Sequence, residues 1–202
     1  MNVFYEKLPE TLKINGKEYL VITDFREWIR FSDMLKADIP SECKVEFLAD
    51  MFLEEVPDLY TEEDIEEVMD AITAFLSLSG IEFPDKYSDE LDSEEQLEEM
   101  ECDGEAKKAI YYEQDAPYII SAFWREYQID LLSVPDMHWW KFRMLLDGLS
   151  EESQIKKRIY WRTCDVSKMD KKERMEILKI RRSITIPEEE YVSDEDIGNA
   201  FM

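Results

Sequence analysis

The sequence predicts a mainly α-helical protein, with an N-terminal β-hairpin packed on helices, an acidic linker and a C-terminal helical bundle. Three observations predict it. Apolar residues recur at three- and four-residue spacing through most of the chain. One Asn-Gly pair separates two short apolar runs. A stretch from about 81 to 113 is dense in carboxylates and poor in large apolar residues. With 202 residues, 45% of them hydrophobic, the chain can bury a real core as one good-sized domain or two small ones. Composition divides it into residues 1–80 (hairpin and helices), 81–113 (acidic linker), 114–184 (helices) and 185–202 (acidic tail).

The elements follow in order. In TLKINGKEYLVIT, Asn15-Gly16 tolerates positive φ at both turn positions, which predicts a two-residue hairpin. A lone hairpin is marginal in water, so it must lie on the helices that follow. After Thr23, a candidate N-cap, DFREWIRFSDML brings Phe25, Trp28, Ile29 and Leu35 to one face. Ser41 can start a second helix, with Val45, Leu48, Met51, Phe52 and Val56 at helical spacing and Pro57 as its end. Thr61 and Asp64 resemble a capping box, opening a helix with Ile65, Val68, Met69, Ile72, Phe75 and Leu76 as its stripe and Gly80 as its stop. Beyond the linker, DAPYIISAFWREYQIDLL places Ile120, Phe123, Trp124 and Tyr127 in the pattern of a buried face. Pro135 precedes a helix starting near Asp136, DMHWWKFRMLLDGLS, and SQIKKRIYWRT and DKKERMEILKIRRS complete the set.

Charge restricts the function. There are 49 acidic and 24 basic residues, a formal net charge of -25, which argues against general nucleic-acid binding because phosphate contact needs a basic face. The charge is polarised. Residues 50–105 hold 22 acidic and 1 basic residue, a net of -21, and residues 155–182 hold 11 basic and 4 acidic, a net of +7. The basic run fits neutralisation of the acidic half, or of a sister copy, better than nucleic acid. Cys43, Cys102 and Cys164 are odd in number and lack metal or disulfide spacing, which fits a reducing, cytoplasmic setting. The start MNVFYEKLPE has no signal-peptide pattern, and no segment is apolar enough to span a bilayer.

Catalytic constellations are missing from the pattern. His138 is the one imidazole, without a cysteine or serine partner that spacing singles out, so a capping role near a helix start fits it better than catalysis. With 49 carboxylates, any acid/base pair arises by chance. The glycines form no phosphate-binding loop, and residues 85–105 lack calcium-loop spacing. We therefore expect no enzyme, cofactor or metal. On a helix, Trp139, Phe142, Leu146 and Leu149 share one face and Met137, Trp140 and Met144 another, with Leu145 between. A helix this apolar is covered on two sides, either by its own domain or on one side by a partner.

The series D-A-x-Y-I-x-x-A-F (Asp115–Phe123), Y-x-I-D-L (Tyr127–Leu131), H-W-W-K-F-x-x-L (His138–Leu145), Gly148-Leu149, then Ile159 and Arg162, resembles the bacteriophage gene-product-15 family. The match is clearest over residues 115–182 and extends to the N-terminal half in its layout. The resemblance implies a tail assembly chaperone that keeps the aggregation-prone tape-measure protein soluble, with no catalytic residues. Its linker and tail are longer and more acidic than the family pattern leads one to expect. The partners so implied are the tape-measure protein, other tail assembly proteins and a second copy, with neither nucleic acid nor membrane. Two further readings stay open: a structural tail or connector component retained in the virion, and an acidic regulator of a host protein. The candidate residues, as interaction surface or core, are Phe123, Trp124, Tyr127, Met137, His138, Trp139, Trp140, Phe142, Met144, Leu145 and Leu149.

Overall fold

The computed structural model describes residues 5–37, 39–79, 81, 109–167 and 169–185. Gly80 and nearly all of the acidic linker and tail lie outside these residues. Strands β1 (Thr11–Ile14) and β2 (Lys17–Leu20) pair antiparallel, Thr11 opposite Leu20 and Ile14 opposite Lys17. Asn15 and Gly16 both take positive φ, 51° and 75°, as the two-residue turn requires. Alternation puts Leu12 and Ile14 inward, where both are buried against the helices. The Asn15 amide donates to Glu67 Oε1 of the third helix (3.0 Å) and ties the turn down.

Helix α1 (Phe25–Lys36) is capped one residue later than expected. Asp24, not Thr23, accepts the Arg26 amide (2.9 Å), and the same carboxylate receives the Arg26 guanidinium. Helix α2 (Ser41–Asp50) is shorter than its apolar spacing suggests. Instead of running on to Val56, the chain turns back at Met51 and lies beside the end of the hairpin. Ile22 donates to Met51 O (2.9 Å) and Leu53 to Leu20 O (3.0 Å), with Val21 and Phe52 forming a bridge. Those backbone bonds replace the last helical turn, and Met51, at the C-cap, and Phe52, in the bridge, both reach the core.

Helix α3 (Glu62–Leu76) opens with the expected capping box, Asp64 N donating to Thr61 Oγ1 (3.1 Å) and Thr61 N to Asp64 Oδ2 (3.0 Å). Its buried stripe is Val68, Ile72 and Phe75. The C-terminal part holds four helices: α4 (Tyr112–Tyr127), α5 (Trp139–Asp147), α6 (Gln154–Thr163) and α7 (Lys171–Ile184). Helix α4 begins before the expected end of the linker, because Tyr112 packs on Trp139 and Phe142. It ends where Gln128 adopts the left-handed conformation (φ 57°). Helix α5 begins at Trp139 rather than near Asp136, and α6 is capped by Ser153.

Helix α4 packs on α5 and α6, α6 on α7, and α1 on α2 and α5. A single buried cluster runs from Leu12 through Trp28, Val68 and Phe75 to Phe123, Trp139, Phe142 and Ile155. The compositional regions 1–80 and 114–184 thus share one core.

Truncating a side chain at the centre of that core should weaken both regions at once. Phe142→Ala is expected to cost about 3–5 kcal/mol, seen in urea titration as one transition with coincident tryptophan fluorescence and far-UV circular dichroism. Two resolved transitions would show that the halves fold separately.

Candidate functional site

The short helix α5 is inserted into the N-terminal region. The Phe25 amide donates to Met137 O (2.9 Å) and the Trp139 amide to Thr23 O (2.7 Å), so the strand-like entry to α5 pairs with the entry to α1. Asp24 joins both, since its Oδ2 also accepts the Met137 amide (3.1 Å). Phe142 stacks on Phe25 (4.4 Å between centroids) and on Phe123 (5.5 Å), placing one ring between α1 and α4.

The two tryptophans have a polar task as well. The last carbonyls of a helix have no partner within it, and the final turn of α3 contains no basic side chain. Trp140 Nε1 donates to Phe75 O (2.9 Å) and Trp139 Nε1 to Leu76 O (3.3 Å). The indole pair therefore closes the C-terminus of α3 while burying its rings.

His138 is the N-cap of α5. Its Nδ1 accepts the Trp140 amide (3.0 Å), and Nε2 lies 2.9 Å from Pro9 O. A carbonyl only accepts, so the hydrogen sits on Nε2 and Nδ1 is bare. Burial pushes the imidazole below its ordinary value of 6.5, against the opposing pull of Pro9 O, Asp136 and Glu10. The expected capping role is what the geometry shows, with both ring nitrogens occupied.

The remaining motif residues sort by exposure. Phe123, Met137, Trp139, Trp140, Phe142 and Leu149 are buried, and Tyr127, Met144 and Leu145 are half-buried. The Met137, Trp140 and Met144 face is thus covered by the chain itself, with Trp140 against Phe75. Trp124 departs from the expected stripe: it is 55% exposed. The inward face of α4 is Asp115, Ile119, Ala122 and Phe123, a phase that an inward aspartate disguises. Tyr127 leans across to Leu145, its hydroxyl donating to Leu145 O (2.8 Å). Gly148 makes room for that hydroxyl, which would lie 3.1 Å from a Cβ placed there.

The polar centre of the C-terminal part is one that sequence reasoning missed. Asp115, fully buried, accepts Arg158 Nε (2.8 Å), both terminal nitrogens of Arg162, and the Tyr111 amide (3.0 Å). Arg162 continues to Ala109 O (3.0 Å) and Ile184 O (2.9 Å), joining α4, α6 and α7. Tyr118 and Tyr111 lie under the two guanidinium groups at 4.5 and 4.8 Å. Burial raises the Asp115 carboxyl, but the bonds from Arg162, Tyr111 and Arg158 outweigh it and hold the group below its ordinary value of 3.8. The available signal was a charge on the inward stripe of each helix: Asp115 in phase with Ile119, and Arg158 and Arg162 in phase with Ile155.

An apolar groove of about 160 Å³ lies between α1 and α4, lined by Ile29, Ala116, Ile119, Ile120, Leu131 and Leu132 among others. Leu132 at its edge is 77% exposed, and Trp124 stands one helical turn beyond Ile120. The volume is below the roughly 300–1,000 Å³ of small-molecule sites. Among the described residues, no group of His, Cys, Asp or Glu is arranged to hold a metal, and no helix is long and apolar enough to cross a membrane.

A mainly helical, single-core protein with a closed aromatic centre and an exposed apolar groove is the class these features define. The family model described as bacteriophage Gp15 protein matches residues 4–186, and the chain belongs to that family. Membership points to a phage structural or assembly-related protein. Comparison with curated proteins and with solved structures gives no match.

Two substitutions probe the polar groups. Asp115→Asn leaves two buried guanidinium groups without their counter-charge and should cost about 3–5 kcal/mol, measured by urea titration at neutral pH. The contribution of Asp115 is present above 3.8 and lost as pH falls through its lower folded value. His138 acts in another window. Its folded value is below 6.5, so the unfolded chain binds the proton first and stability falls as pH drops below 6.5 towards the folded value. Asn at 138 can keep the cap without titrating. Between about pH 5 and about pH 8, His138→Asn should lose the part of the stability slope due to this group, and an unchanged slope would refute the assignment.

Proposed function

We propose that this protein is a non-catalytic, tail assembly chaperone-like protein that binds the tape-measure protein and keeps it soluble during tail morphogenesis in the host cytoplasm. Family membership over residues 4–186 carries the reading. The groove between α1 and α4 supports it and redirects it. The Trp140 and Met144 face that the sequence offered packs on the chain's own core, whereas Trp124 and Leu132 are exposed, Leu132 lining an apolar trough and Trp124 one helical turn beyond Ile120 of its wall. An amphipathic helix docks by laying regularly spaced apolar residues into such a trough. The net charge of -25 would keep chaperone-covered complexes apart.

Co-expression with the tape-measure protein of the same gene cluster tests this reading. The tape measure should become soluble and co-purify with the wild-type chain. Trp124→Ala combined with Leu132→Ala should lower its recovery about tenfold, the effect of losing one interface anchor worth roughly 1–2 kcal/mol, while thermal unfolding of the variant stays near wild type. An insoluble tape measure beside soluble wild-type protein would sink the proposal. Equal recovery with the double variant would move the contact away from this groove.

A further inference from the structure

Helix α7 carries a feature that folding of a single copy does not use. Ile177 and Ile184 face inward, and the opposite side presents Lys171, Lys172, Lys179 and Arg182 around Met175, which is 64% exposed. None of these four cations pairs with a carboxylate among the described residues. Lys171 and Lys172 also occupy the first turn, where the helix dipole disfavours positive charge. Three arginines of the C-terminal helices differ: Arg158 and Arg162 are held by Asp115, and Arg181 donates to Trp161 O and Cys164 O.

A matching surface lies on α3. Glu62, Glu63, Glu66 and Asp70 fall on its exposed side, next to Tyr60, which is 90% exposed. These carboxylates likewise have no cation partner among the described residues. At about 1.5 Å of rise per residue, Lys171 to Arg182 spans roughly 16 Å and Glu62 to Asp70 roughly 12 Å. Two helices laid side by side can bring the stripes together, with one apolar residue, Met175 or Tyr60, in each.

We propose that the basic face of α7 docks on the acidic face of α3 of a second copy of this chain. The two patches differ and each copy carries both, so the contact closes as a reciprocal two-fold dimer where both pairs meet at once, and otherwise runs head-to-tail with one patch of each kind free at the ends of a growing chain. The association needs no tape-measure protein. Exposed ion pairs are individually weak and screened by salt, so assembly is concentration-dependent and reversible.

Sedimentation velocity of the full chain over a concentration series tests this, at about 0.1 M and about 1 M salt, where the screening length falls from about 10 Å, short enough to damp the repulsion between net charges but not the contact pairs, to about 3 Å. The wild type should gain mass with concentration at low salt and return to monomer at high salt. Lys171→Glu with Lys179→Glu and Arg182→Glu should weaken association about tenfold or more. Glu66→Lys with Asp70→Lys should do the same. Mixing the two variants should restore association, because each supplies the charge the other lost. Glutamate at 171 suits the helix dipole and glutamate at 182, in the last turn, does not, so far-UV circular dichroism of the first variant, and its recovery of association on mixing, separate loss of contact from loss of fold. A wild type that stays monomeric at low salt would overturn the proposal, as would occupation of α7 by the chain's own residues 82–108 or by an added single-stranded oligonucleotide. Mass growth unchanged in both variants would overturn it equally.

Discussion

The fold depends on the insertion of α5 into the N-terminal region. Two indole N–H groups bond the carbonyls of Phe75 and Leu76 at the end of α3, the first of which also accepts the Leu78 amide, and the rings around them fill the space between α1, α3 and α4. Burying large aromatic side chains supplies the apolar area, and satisfying their polar atoms removes the penalty that would oppose it. The backbone bonds from Phe25 and Trp139 then fix the approach. The hairpin, marginal alone, is held because this arrangement keeps α3 in place for Leu12 and Ile14 to pack on.

Around Asp115 a second, ionic centre organises the helices that follow. Two guanidinium groups and a backbone amide surround one buried carboxylate, and Arg162 extends the network to the start of α4 and the end of α7. Desolvation makes such a centre a poor source of net stability, but it admits few alternatives. Shifting α6 against α4 would leave a charge buried without its partner. The apolar core and the ionic centre thus divide the task, the first joining the two halves and the second setting the C-terminal helices in register.

With those groups used internally, what remains for other molecules is the surface. The aromatic motif, which by composition resembles an interface, is consumed by the fold. Exposed apolar residues stand on α4 and its following loop, Trp124 and Leu132 among them. The charged faces of α3 and α7 add a second opportunity of opposite sign on each side.

Local signals in the sequence determined the mainly helical class, the hairpin turn at Asn15-Gly16, the Thr61 capping box and the capping role of His138, because each depends on residues within about one turn of each other. The family resemblance rested on residues that the structure buries: Asp115, Phe123, Trp139, Trp140 and Arg162. Only the tertiary structure decided which side of each amphipathic element faces inward. Trp124 turned outward because Asp115, in phase with Ile119, turned inward to meet two arginines 43 and 47 residues away. Helix α2 stopped early because Met51 and Leu53 found backbone partners in the hairpin. Periodicity records that a helix has an apolar side, whereas its phase against a neighbour is set by hydrogen bonds and ion pairs between distant residues, and no local window of sequence contains both partners.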